Sequence, residues 1–151
     1  MNTTDLRHYE SPEWKFALDI PKCWITAPPV SANNPYEVIR FISHEGGQHL
    51  TIIFREPHDP ARTLTQQAEK RQEILARHGY GGFVGREAII KSKPAWRLDF
   101  DKPEIWGIWS CRYYFVAQDT LLYRVGFGTS DKASMFPVFD CVAESFEIIP
   151  E

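Results

Sequence analysis

Ser130–Pro150, SDKASMFPVFDCVAESFEIIP, is the stretch whose reading decides the fold. Ser130 stands where an N-cap is needed, and Met135, Phe136, Phe139, Val142 and Ala143 follow at helical spacing as one apolar stripe. Phe146, Ile148 and Ile149 then read as a terminal strand. A last amphipathic helix that runs into a strand is suited to cover an antiparallel sheet and pair at its edge.

Upstream of that ending the period is two rather than 3.6. In Trp14–Ile20 (WKFALDI), Trp14, Phe16, Leu18 and Ile20 alternate with Lys15, Ala17 and Asp19, the pattern of a half-buried strand closed by Pro21. Pro28 and Pro29 keep the following segment extended and irregular. Val38–His44 and His49–Arg55 flank Glu45-Gly46-Gly47-Gln48, which predicts a hairpin. Strands are also predicted over Phe83–Ile90, Ala95–Asp101, Ile105–Gln118 and Leu121–Gly128, with Asp119-Thr120 as a turn. The third of these is apolar on both faces, as a central strand covered from both sides would be.

Thr63–His78 (TLTQQAEKRQEILARH) predicts a surface helix. Thr63 and Gln66 have the spacing of a capping box, and Gly79 supplies a left-handed exit. Leu64, Ala68, Ile74 and Leu75 make a thin apolar stripe on an otherwise polar surface. The expectation is one α+β domain spanning 1–151: an antiparallel sheet of about six to eight strands with two main helices packed on it. Residues 1–8 are expected to be disordered.

The 151 residues are 43% hydrophobic, 14% aromatic and 25% charged, ordinary proportions for a globular domain with its own core. The net charge is −3, so no positive field is available to attract nucleic acid. No apolar run approaches the ~18 residues of a membrane span. Cys23, Cys111 and Cys141 are odd in number and widely spaced, which fits free thiols in a reducing compartment. A cytoplasmic location is therefore expected, with neither nucleic acid nor membrane as a partner.

Candidate chemistry is sparse. His44 and His49 flank the predicted hairpin, but no third metal ligand follows at a recognisable spacing. Cys111 and Cys141 fall among apolar positions and read as small core residues, leaving Cys23 as the exposed thiol. Asp99, Asp101 and Glu104 gather near one strand end, where a hydrolase could use Asp99 or Asp101 as a base. Beside Pro103 such acids equally serve as turn formers. The glycine clusters at Gly79–Gly82 and Gly126–Gly128 lack the lysine or helix context of a phosphate loop. No cofactor or metal is called for.

The alternation instead points to one strand face. If Trp96, Leu98 and Phe100 face a core, Arg97 and Asp99 face away; Arg112 and Tyr114 separate likewise from Cys111, Tyr113 and Phe115. Arg124 separates from Tyr123 and Val125, and Arg40 from Ile39 and Phe41. Arg40, Arg97, Trp106, Arg112, Tyr114 and Arg124 together would form an interaction surface, because Arg, Tyr and Trp dominate binding hot spots. The opposing reading packs a helix or the proline-rich loop there, with the arginines in cross-strand ion pairs. On the first reading, replacing Arg112 and Arg124 by Glu abolishes partner capture and leaves the Tm nearly unchanged.

Tyr9–Trp24 (YESPEWKFALDIPKCW) carries the "IP-x-x-W" start at Ile20, Pro21 and Trp24. With the GGQHLTIIF strand, the KPAW strand and the closing ESF, the chain resembles the PsbP-like fold superfamily. That superfamily includes photosystem II extrinsic subunits, a Ran-binding import factor family and bacterial domains of unknown function, some of them chaperones for type VI secretion effectors. The resemblance covers about Tyr9 to Ile149 and implies a non-enzymatic binding or scaffold role. It carries over no functional residue. The effector chaperones hold helices on a more apolar sheet surface, and the Arg-rich face read here departs from them.

The sequence thus predicts a protein-binding or chaperone-like adaptor, monomer or homodimer, whose partner is another protein such as a secretion effector. Two other readings stay open: a small-molecule site near Trp24 and Trp106 beside the Pro28-Pro29 loop, and the Asp99/Asp101 hydrolase.

Overall fold

Two antiparallel sheets and two helices build the molecule, as shown by a computed structural model that describes residues 5–30, 32, 34–43 and 48–150. Strands β1 (Leu6–Ser11) and β2 (Phe16–Pro21) pair with each other, and β2 also pairs with β10 (Glu147–Ile148), giving a three-stranded sheet. The larger sheet contains β3 (Ile25–Ala27), β4 (Glu37–Ile42), β5 (His49–Pro57), β6 (Gly81–Ile90), β7 (Lys93–Glu104), β8 (Gly107–Gln118) and β9 (Leu121–Thr129). Its order is β3-β4-β5-β9-β8-β7-β6. The α+β class and the two helices α1 (Leu64–Arg77) and α2 (Lys132–Ser145) agree with the sequence reading. The closing segment turns back onto β2, at the register Ile148↔Phe16, and so joins the smaller sheet.

Both faces of the large sheet are covered, and each face has its own apolar cluster. On one side Phe16, Leu18 and Ile20 of β2 and Phe139 and Val142 of α2 pack on Tyr123, Val125 and Phe127 of β9. On the other side Ala68 and Leu75 of α1 pack on Leu98, Phe100, Cys111 and Phe115. Each fully buried large side chain contributes about 1.5–3 kcal/mol. The Phe127 and Phe139 rings stack at 4.7 Å and clamp α2 to the sheet centre.

Local signals account for most boundaries. The Thr63–Gln66 capping box forms in full, and Gly79 takes φ +92° after the helix. Asp119 turns β8 into β9 with φ 54°. Lys91 and Ser92, both at positive φ, make a two-residue hairpin between β6 and β7.

Several expectations change. Asp131, not Ser130, caps α2, its side chain accepting from the Ser134 amide. Ile105 and Trp106 form the tip of the β7–β8 hairpin rather than the start of β8, because Glu104 pairs with Gly107. Leu6–His8 lie in β1, held by pairing with Asp19–Pro21, so the predicted disorder does not extend to them. Residues 1–4, and most of the hairpin predicted at 45–48, lie outside the described residues.

Candidate functional site

Five of the six residues read as one surface divide between opposite faces of the large sheet, and the sixth, Trp106, stands on the β7–β8 hairpin tip, which corrects the sequence reading. Residues directly opposed on neighbouring strands share a face. Asp99 opposes Arg112 and Arg97 opposes Tyr114, so these four do lie together. Arg124, however, opposes Phe115 and Phe54, and Arg40 opposes Ile52, which places both on the α1 side.

The first group lies under α2 rather than open to a partner. Arg112 is only 8% exposed. Its Nε and Nη2 donate to the two carboxylate oxygens of Asp99 at 2.8 and 2.9 Å, and Nη1 donates to Asp140 of α2 at 2.7 Å. The Tyr114 hydroxyl donates to the same Asp140 oxygen at 2.9 Å. The Phe136 ring lies 4.4 Å from the guanidinium carbon, and Arg97 reaches Asp99 at 3.5 Å. Burial alone would lower the Arg112 pKa, but its hydrogen bonds to Asp99 and Asp140 raise it above the ordinary value. Burial first, and then the Asp140 charge, pushes the Tyr114 phenol up. This cluster is a fastener between the helix and the sheet. Replacing Arg112 by Glu, expected to leave the Tm nearly unchanged, would instead place a carboxylate against Asp99 and Asp140.

Arg124 is more deeply buried, at 1% exposure. Its guanidinium lies 3.9 Å from the centre of the Phe54 ring and 5.5 Å from that of Tyr113, and donates to Glu56 at 3.4 Å. Burial and the neighbouring Arg71 lower its pKa to about 10. Arg40 donates through Nε and Nη2 to Glu37, whose Oε1 also accepts from the Val30 amide. Trp106 alone of the six is strongly exposed, at 61%, on the hairpin tip between Ile105 and Ile108.

The other sequence candidates resolve similarly. Asp99 is engaged by Arg112, so it is not held in reserve as a base. Trp24 is buried against Phe139 and His49, and therefore does not line an open pocket with Trp106. The His49 ring is 2.9 Å from the Thr129 hydroxyl, in a cross-strand role, while His44 lies outside the described residues. Burial, followed by the Asp101 charge, pushes the Cys111 thiol up to about 12, which leaves it an inert core group; Cys23 is exposed.

Two features escaped the sequence reading. β6 forms one edge of the large sheet, ten residues long, with Val84 and Ile89 exposed along it. Beside it a groove of about 550 Å³ runs between the start of α1 and the β6–β7 hairpin, walled by Leu64, Ala88, Ile89, Pro94 and Trp96. The run Phe83–Ile90 showed a strand, but an edge position depends on which neighbour is missing, and no local signal carries that.

Among solved structures, the chain is similar to cyanobacterial PsbP from Synechocystis sp. PCC 6803 over 95% of its own length and 92% of that chain, with a TM-score of 0.74 and 13% identity. It is also similar to LpqN of Mycobacterium tuberculosis, a protein involved in cell envelope biogenesis, over 96% and 92% of the two chains (TM-score 0.66, 14% identity). PA94 of Pseudomonas aeruginosa, a protein of unknown function described as a putative regulator, matches over 97% of both chains (TM-score 0.60, 14% identity). No protein-family model and no curated protein matches the sequence. The fold is PsbP-like.

Proposed function

We propose that the chain is a non-enzymatic protein-binding domain that adds an extended segment of a partner protein to the open edge of β6. The observation that carries this reading is the edge strand and groove side by side. An unpaired edge presents a row of backbone donors and acceptors, and strand addition uses them for affinity while adjacent pockets select side chains. Ile89, 74% exposed, stands at the groove with Trp96 and Leu64 behind it, so an apolar side chain of the added strand has a place to bury. Arg86 and Glu87 occupy the middle of β6 and guard the edge against indiscriminate pairing, which leaves selection to the groove.

The described relatives of this fold are not united by a catalytic activity, which supports a binding role over an enzymatic one. In the effector-chaperone reading of the sequence, the partner is a secretion effector met in the cytoplasm, and three free thiols fit that compartment. A panel of displayed extended apolar peptides tests the edge. Selected ligands should shift backbone amides within Gly81–Ile90 and should bind Ile89→Lys more than tenfold less tightly, with no change in Tm. Ligands that ignore Ile89→Lys and perturb amides elsewhere would remove the assignment.

A further inference from the structure

We infer that the cavity between α1 and the end of β5 binds a small organic anion bearing a carboxylate or phosphate group. The cavity holds about 520 Å³. One wall is a single face of α1, Gln67, Lys70, Arg71 and Ile74, at the i, i+3, i+4, i+7 spacing that aligns side chains along a helix. This face is distinct from the Ala68–Leu75 stripe that docks on the sheet. Glu56, His58 and Arg62 form the facing wall, at the end of β5 and in the loop after it.

The charges in and behind this space do not balance. Glu56 is shared by two guanidiniums, Arg71 at 3.6 Å from inside the cavity and the fully buried Arg124 at 3.4 Å from beneath it. Both distances exceed the 2.7–2.9 Å of a strong charge-assisted bond, so neither guanidinium is tightly held by Glu56. Asp59, the other acid on the lining, already accepts from the Ala61 amide at 2.9 Å within its own turn. Among the described residues, neither Arg62 nor Lys70 joins an ion pair. Four cations (Arg62, Lys70, Arg71, Arg124) therefore face two carboxylates (Glu56, Asp59), a local surplus of two positive charges in a protein whose net charge is −3. The depressed pKa of Arg124 has burial as its first cause and Arg71 as its second, so two cations are held together at a cost that an incoming anion would relieve.

The lining also selects the kind of anion. A guanidinium fork and a nearby ammonium suit the planar oxygens of a carboxylate or the face of a phosphate. His58, buried and hydrogen-bonded through Nδ1 to Gln67 at 3.2 Å, adds a fixed polar group. Ile74, Pro57 and Tyr36 provide apolar wall, so an organic body bearing the anion fits better than a bare inorganic ion.

Titration calorimetry of the whole chain with inorganic phosphate, citrate and phenyl phosphate tests the site, with amide and side-chain NMR as the second readout. At least one organic probe should bind saturably at one site and more tightly than inorganic phosphate, shifting His58, Gln67 and the Arg71 side chain. Arg71→Gln should weaken that probe about tenfold or more, and the surface variant Lys70→Gln should weaken it less while melting like the parent. Ile89→Lys should bind the probe normally, which separates this site from the β6 edge. The inference is overturned if no probe saturates below ~10 mM, where even the ~1 mM affinity of a weak site would show. It is equally overturned if binding occurs but is indifferent to both Arg71→Gln and Lys70→Gln.

Discussion

Arg112→Gln should destabilise the protein substantially, although the residue stands at a position that sequence alternation assigns to an outward face. The substitution keeps a polar side chain but shortens it by the outer part of the guanidinium, and so removes the hydrogen bonds to carboxylates, two to Asp99 and one to Asp140. A hydrogen bond to a charged group contributes about 1.5–3 kcal/mol, so simple addition would overshoot. Breaking a fully buried ion pair costs about 3–5 kcal/mol, whereas an exposed one is worth about 0–1 kcal/mol. This cluster falls between those limits: Arg112 is buried, but the Asp140 side chain is 40% exposed and can recruit water once its partner is gone. Asp99 also keeps Arg97 nearby, and Asp140 keeps the Tyr114 hydroxyl. The expected loss is about 2–4 kcal/mol, which for a domain of this size lowers Tm by about 5–15 °C. Equilibrium urea unfolding should show a lower midpoint with an unchanged slope. A double-mutant cycle with Asp99→Asn should return a coupling of about 1–3 kcal/mol. A loss under about 0.5 kcal/mol, the range of ordinary surface substitutions, together with a coupling near zero, would refute the view that these groups fasten α2 to the sheet.

Three further outcomes are expected. Gly128→Ala should cost about 1–3 kcal/mol and shift tryptophan fluorescence, because the new Cβ would sit 2.5 Å from Cζ2 of Trp109, whose ring lies over the glycine; an unaltered spectrum and midpoint would contradict that packing. The His8 imidazole should titrate above its ordinary 6.5, held first by its hydrogen bond to Asp19 at 2.9 Å and then by Glu10 at 3.4 Å. Because the folded-state value is raised, the small stabilisation is complete below 6.5 and disappears as pH climbs through that folded value. It should shrink with added salt, and an NMR titration giving 6.5 or less would rule it out. At about pH 8, iodoacetamide should label the exposed Cys23 rapidly and leave Cys111 unmodified until the protein unfolds, since burial holds the Cys111 thiol protonated. Comparable labelling rates by mass spectrometry would show that the β8 strand opens readily.

Sequence determined what depends on neighbours along the chain. The capping box at Thr63 and Gln66, the exit at Gly79, the turn at Asp119 and the apolar stripe of α2 are settled within a few residues, and each stands where its local chemistry puts it. In β7, β8 and β9 alternation likewise sorted the side chains into two faces, whereas Trp14 and Lys15, read as the start of a strand, form the turn before β2. Period two cannot say which face of one strand joins which face of the next, because that phase is set by register between segments distant in sequence. The pairing Arg124↔Phe115 therefore put one arginine under α1, while Asp99↔Arg112 put another under α2. Nor does alternation show that a charged face is covered: Arg112, paired with Asp99 on the next strand, is buried by the last helix, whose Asp140, 28 residues later, joins the pair. The open edge of β6 and the charge surplus behind Glu56 have the same origin: each is a relation between elements, so only the assembled chain contains it.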